Sequence, residues 1–326
     1  MGKFARRVVK LVAAGALAAA VIFQFGAREP VDLVVRFDSD SLPNDLDRYL
    51  ADEEAKVPGL MPGAAKQIVW AGQVGTQTDV AVVYLHGFSA TSQEIRPVPD
   101  RVASALGANL FYTRFAGHGL AGDKLAGPTV QDWMDDTAEA LAIGRRLGRK
   151  VIVISTSTGG TLVAEAAREP AMMQDVAGIV FVSPNFGIRS MAARLLTWPF
   201  ARSWVGLVAG AERCFAPINE VQAKNWTTCY PTVALLPVAA LAADAAVADY
   251  GTVTTPALFL YSPQDQVVSP SATKTVAEGW GAAREIHEIT VGPGDDPFSH
   301  VIAGDALSPG MTGAVTEYIV TWAKGL

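Results

Sequence analysis

The chain is 326 residues long, half of them hydrophobic and 18% charged, a composition that excludes a disordered chain, a collagen-like repeat and a small disulfide scaffold. Acids outnumber bases 32 to 26, and four of the bases (Lys3, Arg6, Arg7 and Lys10) fall in the first ten residues, where no acid stands. The other 316 residues set 22 bases against all 32 acids, a net charge of −10 that leaves nucleic-acid binding without electrostatic support.

Behind the basic cluster, Leu11–Phe25 runs fifteen residues without a charge, and Val8–Ala27 reaches the short end of bilayer-spanning length. Positive charge ahead of an apolar core reads as an export signal or a signal anchor. Cleavage after Ala27 would set Phe25 at the −3 place, where a small residue is wanted. An uncleaved inner-membrane anchor over residues 1–27 is therefore the favoured expectation, with a cleaved signal as the alternative. A buried core helix fits less well, because a helix apolar all round at the extreme of a chain seldom packs inside. Both export readings put the body of the chain in the cell envelope, either tethered outside the cytoplasm or released as a periplasmic or secreted protein.

Residues 28–75 form a lead-in of mixed character. Val31–Phe37 alternates as a strand does, Pro43–Glu54 is acidic and helix-like, and Lys66–Ala71 is apolar again. From Val80 the pattern becomes regular. Val80–Leu85, Asn109–Thr113, Lys150–Ile154 and Gly178–Val182 read as short buried strands. Gln93–Leu106, Val130–Leu147 and Thr161–Arg168 between them read as helices. Such alternation predicts an α/β fold, a mostly parallel sheet with helices on both faces. It stops over Asn185–Tyr250, a stretch without a clear strand that carries Phe186, Trp198, Phe200, Trp204 and Trp226 and the Ala-rich run Val233–Val247. It resumes with Ala257–Tyr261, Ser271–Trp280, Glu285–Val291 and Pro309–Trp322. Residues 76–326 thus read as one domain, with a helical cap inserted at about 186–250 over the strand carboxyl ends, where open α/β sheets bind ligands.

Cys214 and Cys229 both lie in the insertion and are the chain's only cysteines. In an oxidising compartment they can close a loop of roughly fifteen residues, which contributes about 3 kcal/mol in the chain-entropy view. Two separate buried thiols are the other reading. No CxxC or HxxxH spacing suggests a metal.

The strongest local signal is Ser155-Thr156-Ser157-Thr158-Gly159-Gly160 between a strand and a helix. A nucleophilic serine there sits on a sharp turn whose neighbours two places before and after must be small. Centring on Ser157 puts Ser155 and Gly159 at those places, whereas centring on Ser155 brings in Val153 and centring on Thr158 brings in a β-branched residue. A Ser/Thr-rich helix N-cap is the competing reading. A serine needs a base, and of the four histidines His300 stands in a loop after the last predicted strand, with His118 second; His86 precedes a glycine at a strand end, and His287, in an alternating strand, is expected to be packed or solvated. Asp265, after the strand Ala257–Tyr261, is the expected carboxylate, with Asp295 and Asp296 as rivals. Backbone N–H groups of Phe88 and Thr158 are the expected oxyanion donors.

With the order Ser…Asp…His, the chain resembles the α/β-hydrolase superfamily, in particular bacterial capped carboxylesterases, monoacylglycerol-lipase-like hydrolases and serine-aminopeptidase-like hydrolases. Tyr84-Leu85-His86-Gly87-Phe88, Gly117-His118-Gly119 and Asp132-Trp133 carry the likeness besides the triad, and it spans Val80–Leu326. Ser155 in place of the usual glycine, and Phe88 where another lipase branch has Gly-Gly, are departures. The resemblance implies cleavage of carboxylic esters of apolar acyl groups through an acyl-enzyme on Ser157, without metal or organic cofactor. It leaves open an aminopeptidase or amidase, for which Glu212, Glu220 or Asp244 would have to hold a substrate ammonium, and a catalytically inactive membrane-tethered binding protein.

Overall fold

In the computed structural model, which describes residues 2–326, the chain opens with α1 (Lys3–Phe25). Among the described residues this is the one helix long and apolar enough to cross a bilayer, and Leu11, Val12 and Leu17 point away from the body. After α1 the expected strand over Val31–Phe37 is absent. Val31, Leu33, Val35 and Phe37 do pack on the core, as the alternation requires, but their backbone joins no ladder. Asp135 Oδ1 instead accepts from the N–H groups of Arg36 and Phe37, at 2.6 and 2.9 Å. Period-two alternation reports one-sided burial, which an extended strap satisfies as well as a strand. Next, α2 (Leu46–Ala55) starts at Asp45, whose carboxylate accepts from Arg48 N–H, and it buries Leu46 and Leu50.

The sheet begins with β1 (Gln67–Val69) and β2 (Thr78–Leu85). There follow α3 (Val98–Leu106), β3 (Asn109–Tyr112), α4 (Val130–Leu147), β4 (Gly148–Thr156), α5 (Thr158–Ala167) and β5 (Val176–Val182). The insertion carries α6 (Ala201–Ala209), β6 (Glu212–Cys214), α7 (Glu220–Asn225), β7 (Cys229–Pro231) and α8 (Leu235–Ala245). The core closes with β8 (Ala257–Tyr261), α9 (Pro270–Glu278), β9 (Arg284–Glu288) and α10 (Thr312–Ala323). Strand order is β1-β3-β2-β4-β5-β8-β9, parallel throughout except where β1 meets β3. This is the α/β-hydrolase arrangement. Alternate residues of one strand feed opposite cores: Ala81, Val83 and Leu85 pack with α4, α5 and α9, while Val82 and Tyr84 pack with α3 and α10. The third helix starts five residues later than the spacing of 93–106 predicts, because Arg96 precedes a proline and is disfavoured from helical geometry.

Two corrections fall in the insertion. It is not purely helical, since β6 and β7 form an antiparallel ribbon in which Cys214 faces Cys229 and the two are joined by a disulfide. Its last helix also rejoins the body: Val238, Leu241 and Ala245 of α8 share a core with α4 and α5. What stands over the strand ends is roughly the stretch from Ile188, which bridges to Val268, to Ala234. The end of α1 abuts this cap. Phe23 meets Trp198 edge-on at 5.6 Å, Arg28 donates to the Thr197 carbonyl at 2.7 Å, and Phe200 N–H donates to the Ala27 carbonyl at 2.6 Å.

Candidate active site

Ser157 is the single residue between β4 and α5, at φ 49° and ψ −117°. Non-glycine residues avoid such positive φ, so the surrounding packing must hold it there. Part of that packing is Gly159, where a Cβ would collide with the carbonyls of Leu85 and His86 at the end of β2. Ser155, in place of the usual glycine, is accommodated because its buried Oγ donates to the Val180 carbonyl of β5 at 2.9 Å. The N-cap reading loses its basis, since the Ser157 side chain makes no capping hydrogen bond. Its Oγ lies 3.2 Å from His300 Nε2 instead.

His300 Nδ1 in turn lies 2.8 Å from Asp265 Oδ2. The other oxygen of Asp265 accepts from Val267 and Val268 N–H at 2.7 and 2.9 Å, which fixes the carboxylate at the end of β8. Burial opposes a charged His300, but the carboxylates of Asp265, Glu94 and Asp296 more than offset it and hold the pKa above the ordinary histidine value. The rival acids do other work. Asp296 accepts from the backbone N–H groups of His300 and Val301, and Asp295 accepts from Gly292 and Gly310 N–H.

The remaining histidines stand apart from this contact chain. His118 is buried beside Phe88, Phe115 and Trp133, with its pKa pushed down by burial to about 4. His86 donates from Nδ1 to the Gly87 carbonyl and accepts Phe115 N–H at Nε2, and burial drives its pKa well below the usual value. His287 is half-buried on β9 against Tyr318. Of the resemblance motifs, Asp132 closes a capping box with Thr129, and Trp133 Nε1–H donates to the Ala116 carbonyl at 3.1 Å.

Neither Phe88 N–H nor Thr158 N–H has a hydrogen-bond partner among the described residues, and Thr158 opens α5, where the helix dipole favours negative charge. Nothing in the sequence marks Glu94, which is buried to 3% exposure against Gly87. Its Oε2 accepts from Gly87 N–H at 2.6 Å and from Tyr84 OH at 3.0 Å. Burial pushes its pKa up to about 7. In a run of Thr91-Ser92-Gln93 it reads as a solvated residue, and only the fold buries it. Equally hidden is a charge lock in which Lys66 pairs with Asp136 and Glu139, Tyr49 OH donates to Glu139, and Arg114 pairs with Glu54.

The cap closes over these groups. Arg189 donates to the Asp265 carbonyl, Thr227 N–H donates to the Ser89 carbonyl at 2.8 Å, and Tyr230 packs edge-on against Phe88 at 5.3 Å. Leu125, Phe215, Ala234 and Leu235 complete an apolar cluster around that pair. The acids an ammonium would need are elsewhere or engaged: Glu212 and Glu220 are exposed, Glu220 pairs with Lys224, and Asp244 faces Arg168 at the far end of α5 from Ser157. Glu212 also lies beside the two cysteine sulfurs, which are bonded to each other and offer no thiolate to a metal.

Residues 76–292 match the family model described as serine aminopeptidase, S33. A thermostable monoacylglycerol lipase of Bacillus sp. (strain H-257) is 26% identical over 200 residues, 61% of this chain and 76% of that protein. Among solved structures, one reported for LipS and LipT, two metagenome-derived lipolytic enzymes, superposes with a TM-score of 0.67 at 21% identity, over 82% of this chain and 100% of the other. The monoacylglycerol lipase of Paleococcus ferrophilus gives a TM-score of 0.54 at 14% identity, over 79% and 96%. At such identities the structural likenesses speak for the fold.

Proposed function

The chain belongs to the serine aminopeptidase, S33, family, and from that premise we propose that it is a serine ester hydrolase whose nucleophile, base and acid are Ser157, His300 and Asp265. The observation that carries the reading is the unbroken chain from Ser157 Oγ through the His300 ring to Asp265, with contacts of 3.2 and 2.8 Å. Ser157 Oγ attacks the ester carbonyl as His300 Nε2 takes its proton, and Asp265 holds the ring and stabilises the imidazolium. The oxyanion rests on the N–H groups of Phe88 and Thr158. Collapse expels the alcohol, protonated by His300; His300 then deprotonates a water that attacks the acyl-enzyme and frees Ser157.

Apolar acyl groups are the proposed substrates. The cluster of Leu125, Phe215 and Tyr230 around Phe88 supports this, and so do the lipolytic names of the relatives. Amide cleavage has no comparable support, because Glu220 pairs with Lys224, Asp244 faces Arg168, and Glu212 is exposed beside the Cys214–Cys229 disulfide. We also place the protein in the cell envelope, held by α1 as an uncleaved anchor. The length and exposure of that helix support this, as does the disulfide, which suits an oxidising compartment. Resistance to alkaline carbonate extraction tests the anchor.

The activity test is hydrolysis of p-nitrophenyl acyl esters from C2 to C12 by the full chain in detergent, beside Ser157→Ala. Turnover that falls by several orders of magnitude in the variant supports the reading, with an optimum above C2 expected. Equal turnover in both proteins refutes it.

A further inference from the structure

We propose that Glu94 is a positioning residue that sets the oxyanion donors Phe88 and Thr158 in place; the inference rests on the reading of Ser157 as nucleophile. Glu94 is a buried carboxyl that no Lys or Arg pairs with among the described residues. Such a group is costly to bury, so its contacts must compensate. Those contacts lead directly to the loop that carries Phe88 and, through Tyr84 and Thr156, to the turn that carries Ser157 and Thr158.

On one side, Gly87 is held at both polar atoms. Its N–H donates to Glu94 Oε2 at 2.6 Å, and its carbonyl accepts from His86 Nδ1 at 2.8 Å and from Ala90 N–H at 3.3 Å. The Gly87–Phe88 peptide is planar, so fixing the Gly87 carbonyl aims the Phe88 N–H in the opposite direction. On the other side, Tyr84 OH donates to Glu94 at 3.0 Å and lies 3.1 Å from Thr156 Oγ1, the residue before Ser157. A Cβ added at Gly87 would stand 2.6 Å from Glu94 Oε1 and 3.1 Å from Ser157 Cβ, so the Gly87 backbone lies close against both the acid and the nucleophile. Glutamate at 94 with glycine at 87 makes this approach possible.

Where it is ionised, at pH above about 7, Glu94 also adds negative charge near the base. The groups that face His300 are Ser157, Asp265, Asp296 and Glu94; those that face Glu94 are Tyr84, the Gly87 N–H and His300. A neutral side chain of the same shape keeps the acceptor oxygen but removes that charge. Its effect on the base is then separable from its effect on the loop.

The test is a pH profile of kcat and kcat/KM for the full chain, Glu94→Gln and Glu94→Ala, on an ester that Ser157→Ala no longer turns over. Glu94→Ala should lower kcat roughly 10- to 100-fold, less than the about 100- to 1000-fold of losing a donor outright, with KM little changed. Glu94→Gln should recover most of kcat while the acid limb of kcat/KM moves to lower pH, because one of the charges that raise the His300 pKa is gone. A folded Glu94→Ala with unchanged kcat overturns the proposal. So does a Glu94→Gln profile whose acid limb stays in place while kcat falls as far as in Glu94→Ala. Should Glu94→Ala not fold, the Glu94→Gln profile decides alone: recovery of kcat with a displaced limb upholds it, and anything else sinks it. Failure of the nucleophile reading shows separately, as activity retained by Ser157→Ala.

Discussion

Asp296 holds His300 by the backbone while Asp265 holds it by the ring. The first accepts from His300 N–H at 2.9 Å and Val301 N–H at 2.8 Å, and the second meets Nδ1 at 2.8 Å. The two acids should therefore separate in function. Asp265→Asn leaves the loop intact but presents the wrong tautomer to the base, so kcat should fall by about 10⁴-fold with little change in Tm. Asp296→Ala strands the N–H groups of the His300 loop and should cost about 2–3 kcal/mol of stability, with a smaller loss of kcat. Paired measurements of kcat and denaturant midpoint check this; equal kcat losses in both variants would contradict it.

The pH dependence follows from the sign of the His300 shift. Its pKa is raised: burial pulls it down, and Asp265, Glu94 and Asp296 push it further up. Only the neutral imidazole can take the Ser157 proton, so kcat/KM should be lost as pH falls through that raised pKa, above the roughly 6.5 of an unperturbed histidine. Asp265→Asn removes the strongest of the raising partners and should move the limb to lower pH. A limb below 6 in the parent chain would contradict the assignment.

The sheet was legible because a parallel sheet covered on both faces makes its strands continuous apolar runs, and Val80–Leu85 and Lys150–Ile154 are such runs. The elbow was legible because sterics limit what flanks a strained serine. By contrast, β6 and β7 are three-residue pairings with mostly exposed side chains, so no periodicity marks them. The strap over Val31–Phe37 misled for the opposite reason, since alternation records burial and is silent about hydrogen bonding. Asp265 could be preferred over Asp295 and Asp296 only through strand ends, because three acids near one histidine differ in geometry rather than in composition. Glu94 and Lys66 had no signature at all: their burial comes from segments far apart in the chain.

The departure at Ser155 yields its own prediction. Its Oγ has a buried acceptor in the Val180 carbonyl, so the serine is a structural substitute for glycine with no contact to the reacting groups. Ser155→Gly restores the usual pattern and should destabilise by about 1–2 kcal/mol, through the lost hydrogen bond and the extra backbone freedom, while kcat stays within about twofold. A large loss of kcat would mean that the hydroxyl shapes the elbow.

The lead-in segment is tied to the site through Lys66. That ammonium is buried between Asp136 and Glu139, and Asp136 also accepts from Ala116 N–H in the loop that carries His118. Burial pushes the Asp136 pKa up to about 6 despite the nearby Lys66. Lys66→Met should leave two buried carboxyls uncompensated and cost about 3–5 kcal/mol. Chemical denaturation of the variant beside Lys66→Arg, which keeps the charge, measures this. A cost under 1 kcal/mol for Lys66→Met would show that the lock contributes little.

Tyr230 is where the cap reaches the proposed oxyanion loop. It sits in β7 beside Cys229, so the disulfide that joins β7 to β6 fixes the strand that presents its ring to Phe88. The same ribbon region anchors Ser89 through Thr227 N–H. An edge-on aromatic pair contributes about 0.5–1.5 kcal/mol beyond its buried area, enough to bias the loop without being essential to the fold. Tyr230→Ala should therefore fold, lower kcat several-fold on every ester and raise KM most for the longest acyl chains, because the apolar wall around Phe88 is lost along with the brace. The Cys214→Ser/Cys229→Ser double variant keeps Tyr230 but frees the ribbon, and should reproduce the kcat loss more than the chain-length effect. Comparing the two across C2 to C12 esters separates wall from brace; identical chain-length profiles in parent and Tyr230→Ala would place the acyl group away from this cluster.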